Sequence, residues 1–221
     1  MYETLFKSVI LSIFNYNFTP FALTVFLTGW LALAIGILVL IREKASRESF
    51  LFFLITLAIL IWLGSNSFMY ASPDAETALS WSRLSFIGVS FIPSAFFQFT
   101  VFALRTSRSN QKKAWLGWII SFFFSAMALT SDRFYSGMQQ YGWGYYPRYT
   151  WIGIPFLIFF FFMLVSSFWQ YYQKSRRATS ELVKLRTRLF SRAFSTAGLA
   201  VIDFLPALGI NLPPLGFIPI L

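Results

Sequence analysis

One carboxylate stands inside an apolar run. Asp203 lies in Leu199–Leu208, where its neighbours are otherwise aliphatic, aromatic, alanine or proline. An ionisable group in such a place needs a partner and marks a functional site by default. Two kinds of partner are open: the guanidinium of Arg83, or backbone groups released where Pro206 interrupts a helix. A second group is a polar stripe. At 100° per residue, Ser80, Arg83, Ser90, Ser94 and Gln98 fall within an arc of roughly 80° of one helix. The stripe is either the wall of a ligand pocket or a hydrogen-bonded contact between helices, where Ser and Gln serve well. Trp62, Asn66 and Tyr70 follow at i, i+4 and i+8 and share a face, and Asn66 needs a partner wherever water is absent. Finally, Tyr141-Gly-Trp-Gly-Tyr-Tyr-Pro-Arg-Tyr-Thr-Trp151 concentrates aromatic residues and glycine around Trp143. It reads as an interfacial aromatic belt with a Gly-rich turn, or as a lid over a pocket. Trp62, Asn66, Tyr70, Arg83, Ser90, Ser94, Gln98, Trp143 and Asp203 are therefore the candidate ligand- or partner-binding residues.

The same inventory excludes much chemistry. The chain has no histidine and no cysteine. Disulfides, Cys/His zinc sites and histidine acid–base catalysis are ruled out. A retinal-type Schiff base needs a lysine within a span, yet Lys7, Lys44, Lys112, Lys113, Lys174 and Lys184 all fall in loops or at helix ends. One buried acid is weak support for a proton pump. Gly142 and Gly144 lack the strand–turn–helix setting of a phosphate loop. No catalytic residue, metal or cofactor is expected.

The elements that position these residues follow from composition. Of 221 residues, 57% are hydrophobic and only 12% charged, and phenylalanine occurs 29 times. A soluble domain carries about 25% charged residues, so this chain belongs in lipid. The expectation is an all-α integral membrane protein with six complete transmembrane helices and the start of a seventh. Runs long enough to cross the hydrocarbon occur at about 18–41, 50–70, 84–104, 114–131, 151–172 and 189–208, with 214–221 as the partial seventh. Residues 1–15 carry an apolar helical pattern and Glu3, and read as a short interfacial helix.

Lysine and arginine divide unevenly between the loops. The first loop has Arg42, Lys44 and Arg47. The third has Arg105, Arg108, Lys112 and Lys113. The segment 174–192 has seven more, so that 14 of the 18 lie on one side. By the positive-inside rule that side is cytoplasmic and the N-terminus lies outside, in a bacterial inner membrane. The net charge of +10 then reflects topology and anionic lipid, not nucleic acid. Ser72-Pro73-Asp74 reads as the start of the third helix, with Ser72 as its cap. The sixth helix should begin near Ser180 and carry a basic collar. The run Pro213-Pro214 and Pro219 leave a seventh span too short to cross lipid, so Gly209–Leu221 should be covered by its own continuation, a partner polypeptide or the outer interface.

Several stretches carry a family resemblance: Trp62, Trp81-Ser-Arg-Leu84 with Gly88 and Pro93, Phe204-Leu-Pro-Ala-Leu-Gly-Ile210 and Pro214-Leu-Gly-Phe217. Through them the chain resembles the N-terminal seven-helix membrane region of bacterial sensor histidine kinases, which is found in some diguanylate cyclases too. The resemblance implies a non-catalytic input region whose seventh helix leads to a cytoplasmic signalling module. Such a sensor region would bind a small or apolar ligand or a partner between its helices, or sense the bilayer. The other reading is an accessory subunit that packs against a larger membrane complex.

Overall fold

Capping chemistry sets where the helices begin. The computed structural model describes residues 15–106 and 108–220. The proposed interfacial helix at 1–15 lies outside these residues, apart from Asn15. Helix α1 (Pro20–Arg42) starts on Thr19, whose hydroxyl accepts from the Ala22 N–H at 3.2 Å, with Pro20 at the first helical position. Helix α2 (Arg47–Ala71) starts on Ser46, which accepts from the Ser49 N–H. Helix α3 (Ala75–Ala103) is capped by Asp74, not Ser72: the Asp74 carboxylate accepts from the Thr77 N–H at 2.8 Å and the Thr77 hydroxyl at 2.9 Å. Ser72 instead closes α2. A carboxylate at this point satisfies an orphan N–H and also meets the positive end of the helix, which a serine does not.

Helix α4 (Arg108–Thr130) is followed by an antiparallel hairpin, β1 (Tyr135–Tyr141) and β2 (Gly144–Tyr149), then by α5 (Gly153–Arg177) and α6 (Glu181–Gly198). Among the described residues, six helices are long and apolar enough to cross a membrane, the last counted as Glu181–Leu208. Along that sixth element α geometry stops at Gly198, and 3₁₀ turns cover Leu199–Phe204 and Pro206–Leu208. Pro206 supplies no N–H and its ring crowds the preceding turn, so the helix tightens before it. The seventh position holds a 3₁₀ turn, Ile218–Ile220, after an irregular stretch.

Helix α3 runs through the middle of the bundle. Its most extensive interface is with α2, and it also contacts α4 and α5. The α2–α3 approach depends on Gly88: a Cβ there would sit 2.6 Å from the Ala58 carbonyl oxygen. The main core collects Trp62, Leu63, Phe86, Phe134, Phe156, Phe160 and Phe204. Leu27, Leu38, Ile119, Phe122, Ile158, Phe162 and Val165 face outward along the helices. That apolar exterior is stable only against hydrocarbon.

The hairpin is the largest departure from the sequence expectation. The run around Trp143 is neither a plain belt nor an open turn. Tyr141 pairs with Gly144 across the two-residue turn Gly142-Trp143, and the register continues to Tyr135 opposite Tyr149. Gly144 takes φ +135°, and a Cβ there would come 2.5 Å from the Tyr70 carbonyl. Only glycine tolerates both demands. Tyr135, Tyr141 and Tyr146 are buried, whereas Ser136 and Gln140 are exposed.

Candidate ligand site

The nine candidate residues do not converge on one cavity. The stripe on α3 faces α4. Ser94 and Ser121 share a hydrogen bond of 2.8 Å, and the Ser121 hydroxyl donates to the Ser90 carbonyl at 2.6 Å. The Trp118 indole N–H donates to Gln98 Oε1. Ser90 and Ser94 have no exposure. This part of the stripe is a polar seam between two helices, the packing alternative of the two. On the α2 side, the Ser85 hydroxyl donates to Asn66 Oδ1 at 2.6 Å. Asn66 Nδ2 has no hydrogen-bond partner among the described residues.

Arg83 and Asp203 do not pair. The Arg83 guanidinium donates to Asp132 at 2.6 Å, and the Asp132 side chain is 92% exposed. The Asp203 carboxylate is instead buried and accepts from the Gly216 backbone N–H at 2.5 Å. The pairing inferred from shared depth fails because each group finds a closer partner: Arg83 the turn after α4, Asp203 the chain that returns along the sixth element. Gly216 permits the contact, since a Cβ there would lie 2.6 Å from Asp203 Cγ.

Above Asp203 sits the hairpin. The Tyr146 hydroxyl donates to the Asp203 carbonyl, and the Tyr141 hydroxyl donates to the Pro206 carbonyl at 3.0 Å. These are the carbonyls near Pro206 that a regular helix would have satisfied. Burial pushes the Tyr146 phenol well above its ordinary range, which keeps it a neutral donor. Tyr70 packs edge-on to Trp143 at 5.5 Å, and Trp143 stacks on Tyr141 at 4.8 Å. The aromatic layer thus ties α2, the hairpin and the C-terminal segment together. Phe217 extends it by packing on Phe21 of α1 at 5.9 Å.

An apolar cavity of about 640 Å³ lies beside α6. Phe96 of α3, Phe160 of α5, Phe194 and Ala197 of α6 and Ile55 of α2 line it, and Trp62 is the one sequence-selected residue on its wall. Pro219 and Ile220 close part of it. Sequence reasoning followed polar residues and missed this space. The available signal was the run of small side chains Ala193, Ala197, Gly198 and Ala200 beside bulky phenylalanines, which leaves room that neither neighbour fills.

This fold and site define a polytopic helical membrane protein with an apolar cavity and a polar seam, whose sequence holds no histidine. Residues 24–220 match the family model for the N-terminal 7TM region of histidine kinase, and the chain belongs to that family. No curated protein matches it. The family is a membrane input region and not the part of a kinase that transfers phosphate.

Proposed function

We propose that the chain is a sensory input region that takes an apolar, chain-like ligand into the cavity beside α6 and reports its occupancy through the segment 214–220. The observation that carries this reading is that Pro219 and Ile220 form part of the cavity wall, while Gly216 of the same segment is tethered to Asp203. A ligand in the cavity therefore touches the piece of chain that would feed a following module. The lining is almost wholly apolar, as small-molecule sites commonly are. The region itself catalyses nothing in this reading. Its basic loops face the cytoplasm of a bacterial inner membrane, with the N-terminus outside. The apolar flank Leu182, Leu185 and Leu189 of α6 is covered by the protein's continuation or by a partner helix.

Photolabelling tests the ligand reading. A palmitate analogue carrying a mid-chain diazirine is added to the chain in nanodiscs, and the labelled peptides are mapped. Labelling should concentrate on Phe96, Phe160 and Phe194–Ala197. Ala197→Trp, which fills the space, should reduce it roughly tenfold, the equivalent of about 1.4 kcal/mol. Ile119→Trp, on the outward face of α4, should leave it unchanged. Uniform labelling of all outward helix faces, with no response to Ala197→Trp, would remove the cavity from the account.

A further inference from the structure

A second cavity lies at the opposite end of the bundle from the hairpin, where the basic residues gather. It measures about 460 Å³ and sits between the α3–α4 turn, the last turns of α5 and the start of α6. Arg105, Lys174 and Arg177 all reach its wall, with Thr106, Asn110, Gln173, Thr179 and Ser180, and among the described residues no carboxylate lines it. Glu181, the nearest acid in sequence, is engaged by Lys184 at 2.7 Å. Among the described residues, none of the three cations has a carboxylate within ion-pair distance. Three like charges converge on one concave surface without internal compensation, which favours an anion there.

Two further features fit. Helix α6 begins at Ser180 with no side-chain hydrogen bond to its first turn, so free N–H groups and the positive end of the helix dipole open at the cavity. The Asn110 amide donates to Gln170 Oε1 at 3.2 Å. This bridge holds α4 to α5 across one side and fixes the shape of the opening. Leu104 and Val183 form an apolar margin beside the polar wall.

We propose that this cleft binds a phosphate group, presented either by an anionic phospholipid headgroup or by a free phosphate compound at the membrane surface. Arg105 and Arg177 supply planar forks suited to two phosphate oxygens, Lys174 a point charge, and the threonines and Ser180 supply neutral donors. The general attraction of a basic collar for anionic lipid would involve all 14 basic residues of this end alike; the cleft predicts that three of them dominate.

The test compares two triple variants in nanodiscs of mixed phosphatidylcholine and phosphatidylglycerol. One is Arg105→Gln, Lys174→Gln and Arg177→Gln. The other is Arg42→Gln, Lys44→Gln and Arg47→Gln, which removes the same charge from the α1–α2 turn. Native mass spectrometry counts retained phosphatidylglycerol, and thermal unfolding is followed against inorganic phosphate at matched ionic strength. The cleft triple should lose a retained lipid or the phosphate-induced stabilisation, with binding weakened roughly tenfold, and the α1–α2 triple should keep both. Lipid retention without a phosphate response assigns the headgroup; a saturable phosphate response without lipid selectivity assigns the free anion. Equal losses in the two triples, or neither ligand bound by the unaltered chain, would overturn the proposal. If the cleft triple does not survive extraction, Arg177→Gln and Lys174→Gln alone are read in the same way.

Discussion

Asp203 and Arg83 show how strongly the setting decides what a charged residue does. Both are ionisable groups near the hairpin end, yet one is buried against a backbone N–H and the other reaches an exposed aspartate. Truncating Asp203 to alanine leaves the Gly216 N–H without its acceptor, a loss of about 1–3 kcal/mol for a buried donor left unsatisfied. Hydrogen exchange at 214–220 should speed up in Asp203→Ala and stay near the parent rate in Asp203→Asn, whose amide oxygen still accepts. Equal exchange in parent and alanine variant would remove the tether. Arg83→Ala, by contrast, should change thermal stability by at most about 1 kcal/mol, because exposed ion pairs contribute little. Gly88→Ala belongs with the first case: its methyl would press on the Ala58 carbonyl, and overpacking of this kind costs about 1–3 kcal/mol. A markedly lower unfolding temperature in detergent checks it, and an unchanged one would mean that α2 and α3 are less closely joined than described.

Among the elements, the helices were legible from the sequence and the hairpin was not. A span declares itself by length and apolarity alone, which is why the runs at 18–41 and 50–70 fall close to α1 and α2. The segment Tyr135–Tyr149 carries the same tyrosines and glycines whether it lines a membrane interface or pairs with itself. What selects the strand form is a tertiary contact, the fit of Gly144 against Tyr70. The partner of Asp203 was equally hidden, since the intervening prolines give no indication of where Gly216 returns. The seam between α3 and α4 was half legible: its polar face is periodic, but whether Ser94 meets a ligand or Ser121 depends on a helix that the stripe does not describe. Ser121→Ala should cost only about 0.6 kcal/mol, the usual size of a hydrogen bond between membrane helices, measured as a small shift in the steric-trapping or unfolding equilibrium. A loss of several kcal/mol would indicate that the seam governs the bundle's stability.

For the molecule as a whole, the cavity and the tether share one segment of chain. The cavity beside α6 is walled by Pro219 and Ile220; the same segment is tied to Asp203, which the hairpin covers through Tyr146. A ligand alters signalling only if it binds the two positions of that segment with different affinity, so coupling must be visible at the tether itself. The most direct measurement is hydrogen exchange at 214–220 while the palmitate probe is titrated to saturation in nanodiscs, with occupancy read from photolabelling in the same samples. The account predicts that protection at Gly216 and its neighbours changes in step with cavity occupancy and that Ala197→Trp abolishes the response. Full labelling of Phe96, Phe160 and Ala197 with no change in exchange at 214–220 would contradict it.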